Sequence, residues 1–145
     1  MLNPFESIIL LKKSSIFSDV NTEDLTVVAN VLEEEAFFEG DRIFEINDRG
    51  DHMYIILEGK VGISITTNNK QPEFIAELGP GECFGEMGML DDQPRSASAH
   101  ALVDSKILSL EKAKLHGLII RYPELAFGIL RSLSLRLRAA NARAR

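Results

Sequence analysis

The sequence predicts a mainly β domain with flanking helices (α+β), built on an eight-stranded antiparallel β-roll or barrel. Three observations carry that prediction. Between Glu33 and Glu111 the chain breaks into short β-like runs separated by Gly- and Asp-bearing turns, at the close spacing of an antiparallel roll. Within one run, "KVGISI", Val61, Ile63 and Ile65 fall on one face, the two-residue alternation of a half-buried strand. On either side the period changes to that of a helix, as at Leu25, Val28, Ala29 and Leu32.

Taken in order, "PFESIILLKKSSIF" predicts a first helix, with Pro4 at the tolerated first turn. "SDVNTEDLTVVANVL" predicts a second, which Asn21 or Thr22 can cap and whose first turn Glu23 and Asp24 suit. The strands then run "EAFF", "RIFEI", "HMYIILEG", "KVGISITT" and "PEFIAELGPGE", with a turn at "NNKQ", and later "SASAHAL" and "SKILSLE". From Lys112 "KAKLHGLIIRY" returns to helix, and Pro123 starts a last one, with a hinge near Arg121-Tyr122-Pro123. That last helix spaces Ala126, Leu130, Leu133, Leu137, Ala140 and Ala144 alternately four and three apart. Such a seam, short of three heptads, suits either a homodimer through the C-terminal helix or packing on the chain's own domain. The organisation expected is one domain over 1–145: an N-terminal helical segment (1–32), a roll (33–111) and C-terminal hinge or lid helices (112–145).

A chain of 145 residues with 45% hydrophobic and 26% charged residues is long enough to bury a core. The formal charge of −6 is uneven: six arginines against Glu124 give +5 from Arg121 onward, leaving −11 for residues 1–120. An acidic body argues against nucleic-acid binding, which needs phosphate neutralisation. One cysteine, Cys83, excludes an internal disulfide or a multi-cysteine metal site and fits a small buried filler. Apolar runs such as "IILL" are far too short to span a bilayer, and the N-terminus lacks a signal-peptide layout. A cytoplasmic location is expected, for a whole chain or for a module of a larger one. His52, His100 and His116 are widely spread, against a metal site, and no nucleophile elbow or acid–base pair marks an enzyme.

The chemistry concentrates in "GECFGEMGMLDDQPRSASAHA", Gly81 to Ala101. Its glycines at 81, 85 and 88 permit unusual backbone angles and close approach of N–H groups to an anion. Phe84-Gly85-Glu86-Met87 predicts the opening of a short helix, whose amides can seat a phosphate oxygen. Arg95 adds a fixed charge and a planar donor fork for that phosphate, and Ser96 one hydroxyl donor. Glu86 would repel a phosphate but accepts well from neighbouring sugar hydroxyls. The loop therefore asks for a ligand with a phosphate and a free ribose hydroxyl; piecemeal, the same residues also suit a Gly-rich turn with a surface ion pair.

The stretch resembles the phosphate-binding cassette of cyclic nucleotide-binding domains. Their pattern of Phe-Gly-Glu, small or apolar residues, a short turn and Pro-Arg-Ser/Thr/Ala-Ala stands here as "FGEMGML", "DDQ" and "PRSASA". "LLKKSSIFSDVNTEDL" is similar to the family's N-terminal segment, and "EGDRIFEINDRGDHMYIILEGKVGI" to its second to fourth strands. The resemblance implies a jelly-roll-like double-stranded β-helix and a regulatory domain, not an enzyme, whose ligand is cAMP or cGMP and which needs no cofactor. It implies that Glu86 binds the ribose 2′-hydroxyl, and that Arg95 pairs with the cyclic phosphate. Ser96 and the amides near Gly85, Glu86 and Met87 complete the cradle after Phe84, and Ile63 and Ile75 contact the base or sugar. Gly88-Met89-Leu90 departs from the frequent Ala-Leu-Leu, which puts the short helix in doubt. Ser96 leans to cAMP, since threonine there accompanies cGMP preference in some members. The runner-up is an interaction or dimerisation module of the same fold with a non-nucleotide effector or no ligand.

Overall fold

The computed structural model describes residues 3–66 and 71–144. Two compact units emerge, one of residues 33–112 and one of residues 1–32 with 113–145.

The first unit is the roll. Its strands are β1 (Glu33–Phe37), β2 (Arg42–Phe44), β3 (His52–Glu58), β4 (Val61–Thr66), β5 (Pro72–Leu78), β6 (Cys83–Phe84), β7 (Ser98–Ala101) and β8 (Ser105–Glu111). They form two four-stranded sheets, ordered β1-β8-β3-β6 and β2-β7-β4-β5, with every pairing antiparallel. Eight antiparallel strands in two sheets are the predicted roll. The eighth, β6, is two residues long and lies inside the Gly-rich loop, where no alternation of two residues can show it. The "NNKQ" turn lies, but for Gln71, outside the described residues.

Tyr54, Ile56, Val61, Phe84, Ala99 and Ile107 form the roll's buried core, with Phe37, Ile43, Phe44, Ile63 and Leu78 packed on it. Apolar residues from both sheets therefore face one interior, the source of most of the roll's stability. The predicted "RIFEI" strand stops at Phe44, because the next amides find side chains: Glu45 donates to Asp48 Oδ2 (2.9 Å) and Ile46 to Ser98 Oγ (2.8 Å). Gly59 has φ +103, and a Cβ there would meet Ser105 Oγ at 2.1 Å, so only glycine serves that turn.

The helical unit holds α1 (Pro4–Lys12), α2 (Thr22–Ala29), α3 (Lys112–Arg121, whose first residue belongs to the roll) and α4 (Glu124–Arg143). Asn21 caps α2 by accepting from Asp24 N at 2.8 Å, one of the two caps expected, and Asn3 caps α1 in the same way. The first helix ends at Lys12 rather than Phe17, since Ser14 Oγ accepts from Ile16 N (3.2 Å) in place of a helical bond. On α4, Leu125, Gly128, Ile129 and Ser132 are buried. A Cβ at Gly128 would stand 2.9 Å from Val20 Cγ2, and Ser132 Oγ accepts from Asp19 N at 2.8 Å. The seam's Leu130 and Leu137 are instead exposed, together with Phe127. One face of α4 thus packs within its unit, and a second apolar stripe does not. No helix among the described residues is long and apolar enough to cross a membrane.

Candidate functional site

The Gly81–Ala101 loop leaves β6 through Gly85, whose φ of +77 turns the chain in the left-handed region. A 3₁₀ turn follows over Met87–Met89, its bonds running from Met89 N to Glu86 O and Leu90 N to Met87 O, both 3.1 Å. The amides of Met87 and Gly88 are not used by those bonds. The predicted short helix therefore exists as a single tight turn. Beyond the "DDQ" spacer, the chain returns antiparallel to an Asn- and Asp-rich turn. Arg95 N donates to Asp48 O and Asn47 N to Arg95 O, both 2.8 Å, with a bridge between Arg49 and Pro94. Asn47 has φ 74, a left-handed conformation that asparagine tolerates better than most residues.

Those backbone anchors aim the Arg95 side chain inward, where it is only 7% exposed. Nη1 donates to Gly85 O (3.1 Å), Nη2 to His52 O (2.5 Å), and the guanidinium carbon lies 4.0 Å from the Phe44 ring centre. Gly50, Gly85 and Gly88 close around it: Cβ atoms there would come within 3.4, 2.6 and 3.5 Å of its guanidinium. Nε has no hydrogen-bond partner among the described residues. Burial draws this guanidinium below its usual pKa, partly offset by Tyr54, Asp51 and Asp48, yet an arginine stays protonated throughout. A buried cation resting on carbonyl oxygens and a ring face is incompletely compensated.

Around it opens a cavity of ≈ 430 Å³, within the usual range for small-molecule sites. Phe84, Gly85, Glu86, Met87, Arg95, Ser96 and Ile63 all line it, so seven of the eight residues singled out from sequence converge. Ile75 does not. The β4–β5 register shifts between Ile63 (opposite Ala76) and Ser64 (opposite Phe74), which passes Ile75 over and leaves it 56% exposed. Cys83, expected as a buried filler, is half-buried in β6.

A family model described as "Cyclic nucleotide-binding domain" matches residues 34–122, the roll together with α3. The chain belongs to the cyclic nucleotide-binding domain family. It is 35% identical over 90% of its length to the cyclic AMP receptor protein of Thermus thermophilus. It is 30% identical over 91% of its length to a CRP-like cAMP-activated global transcriptional regulator of Mycobacterium tuberculosis. The chain spans 61% and 59% of those two relatives. Its fold superposes on the N-terminal domain of a transcriptional regulator from Streptomyces coelicolor with a TM-score of 0.83 at 31% identity, covering 92% of this chain and 95% of that one.

In this cyclic nucleotide-binding domain, tertiary structure adds residues that sequence reasoning missed. Phe44 supplies the ring against the Arg95 guanidinium, and Asn47, Asp48 and the His52 carbonyl fix its backbone and fork. Phe44, Tyr54 and Phe84 form a cluster with centroids 5.0–6.0 Å apart, Tyr54 stacked on Phe84 and Phe44 tilted against both, so the ring under the arginine is itself packed. Burial pushes the Tyr54 phenol up to about 12, so it is a neutral group at ordinary pH. Asp51 accepts from His52 at 2.9 Å, and this bond, more than any charge, lowers its carboxyl pKa and keeps an anion near Arg95. The one signal for Asn47–Asp51 was its turn-rich composition, and for Phe44 there was none.

Proposed function

We propose that the cavity binds a cyclic purine nucleotide, cAMP in preference to cGMP, and that the domain is a sensor with no chemistry of its own. The observation that carries this reading is Arg95: a buried guanidinium on two carbonyls and a ring, with Nε unused among the described residues, at the edge of a cavity beside the Met87 and Gly88 amides. A cyclic phosphate supplies the missing anion without the two charges of a phosphate monoester. Ser96 and the turn's amides complete the cradle, Glu86 accepts from the ribose 2′-hydroxyl, and Ile63 touches the base or sugar. Ile75 joins only where the ligand extends beyond the cavity lining. The Thermus relative, a cyclic AMP receptor protein, and the Mycobacterium relative, a cAMP-activated regulator, support cAMP, and Ser96 leans the same way. Calorimetric titration with cAMP and cGMP tests the reading; silence with both would overturn it and favour a non-nucleotide effector.

The ligand acts by population shift, biasing α3 and α4 through its different affinity for two arrangements. Tyr122 and Pro123, between the end of α3 and the start of α4, are the hinge in this reading. The protein partner is a second copy of the chain, docked through the exposed Phe127, Leu130 and Leu137 of α4, whose packed residues lie on another face. Size-exclusion chromatography should give a dimer that Leu130→Glu converts to a monomer; a wild type monomeric with and without nucleotide would remove this partner. A cytoplasmic place and no direct nucleic-acid contact complete the proposal, in keeping with the acidic charge of −6.

Glu86→Gln is the test of the sugar contact. Exchanging a charged acceptor for a neutral amide should cost about 1–2 kcal/mol, less than losing Arg95, and narrow the gap between cAMP and 2′-deoxy-cAMP. Competition binding reads both. If the wild type binds the two nucleotides equally, Glu86 does not serve that hydroxyl.

A further inference from the structure

Lys112 stands where the roll's last strand runs directly into α3, whose first residue it is. Its backbone N–H donates to Asp51 O at 2.8 Å, immediately before the His52 carbonyl that holds Arg95. Its side chain turns to the other bank of the site. The ammonium donates to the Asp91 carbonyl and lies 3.4 Å from Asp92 Oδ1. The lysine side chain is only 18% exposed, unusual for a residue whose charge water would readily solvate. Asp91 lines the nucleotide cavity, and the 3₁₀ turn ends two residues before it.

One residue therefore ties the "DDQ" spacer, the entry to β3 and the start of α3 together. The spacer is otherwise held weakly: Gln93 N bonds Asp91 Oδ1 at 3.0 Å within the turn itself, and the Asp92 side chain is fully exposed. Nothing in the spacer's own chemistry calls for a lysine nineteen or more residues downstream, so the fold has to deliver it. A carbonyl and a carboxylate from consecutive residues offer an ammonium two acceptors, and the donor's charge strengthens both bonds.

We propose that Lys112 is the positioning residue that transmits the state of the cassette turn to α3. When the 3₁₀ turn tightens on an anion, the spacer moves with it, and the Asp91–Lys112 bond carries that displacement into the first residue of the helix. The proposal rests on the nucleotide reading above and gives its regulation a physical route. It makes Lys112 a residue that touches no ligand and yet sets how far binding is felt along the chain.

Hydrogen exchange on the wild type, Lys112→Met and Lys112→Arg, with and without cAMP, tests it. Methionine keeps the apolar stem and removes the charge; arginine keeps a charged donor. Without ligand, Lys112→Met should exchange the amides of residues 91–93 about tenfold faster, the loss of one charge-assisted bond. With saturating cAMP, the wild type should gain protection at 113–121, Lys112→Met should lose that gain while still protecting 86–88, and Lys112→Arg should recover it. Equal ligand-induced protection of 113–121 in the wild type and Lys112→Met would overturn the proposal, as would unchanged exchange at 91–93. Were the wild type to bind neither cAMP nor cGMP, the nucleotide reading would fall, and the unliganded comparison would still test the tether separately.

Discussion

Arg95→Ala is expected to weaken cyclic nucleotide binding by about 2–5 kcal/mol, since it leaves a phosphate buried without its cation. The effect should fall on binding far more than on folding. Within the protein Arg95 is a buried charge held by the Gly85 and His52 carbonyls and the Phe44 ring. Removing such a charge relieves a desolvation cost while sacrificing those contacts, so the two effects oppose one another. Thermal unfolding should therefore shift little while calorimetry shows affinity collapsing. Arg95→Lys should restore only part of it, because one ammonium cannot hold two diverging carbonyls and face a phosphate with a planar fork. A folded Arg95→Ala protein that binds cAMP as tightly as the wild type would remove Arg95 from the site.

Gly85→Ala should damage folding and binding together. The residue sits at φ +77, where a side chain costs roughly 1–2 kcal/mol. Its Cβ would also stand 2.6 Å from Arg95 Nη1, so the guanidinium has to leave the position from which it donates to Gly85 O. The expected result is a lower melting temperature and an affinity loss approaching that of Arg95→Ala. Gly79→Ala is the matched control: its backbone angle is not left-handed and a Cβ there meets nothing within 4 Å. If the two alanine variants melt and bind alike, the left-handed turn at Gly85 is not what positions the arginine.

The cassette was legible because its parts are neighbours in sequence. Gly85, Glu86, Met87, Arg95 and Ser96 lie within twelve positions, and their chemistry depends on local features: a left-handed glycine, amides at a turn, a donor fork returning after a short spacer. The strand through Val61, Ile63 and Ile65 was legible from its alternation too, although Gly62 and Ser64 between them are buried while Ile63 and Ile65 are half-buried. Two-residue β6 was not, since a strand that short carries no period. Ile75 marks where the resemblance stops short. It placed Ile75 beside Ile63 at the ligand, but a register shift between β4 and β5, which depends on how two strands meet, keeps it out of the cavity lining.

Phe44 and Lys112 mark the same boundary from the other side. A phenylalanine in a short strand and a lysine opening a helix are ordinary residues in their own surroundings. They matter here because β2 pairs with β7 next to the cassette's return, and because β8 delivers Lys112 beside Asp51 and Asp91. The order of residues encodes what each segment can do: its turns, its periodicity, its donors and acceptors. Which ring supports the arginine, and which ammonium holds the spacer, follows from hydrogen-bond register between strands distant along the chain. Local chemistry does not specify that register; burial of the whole roll does.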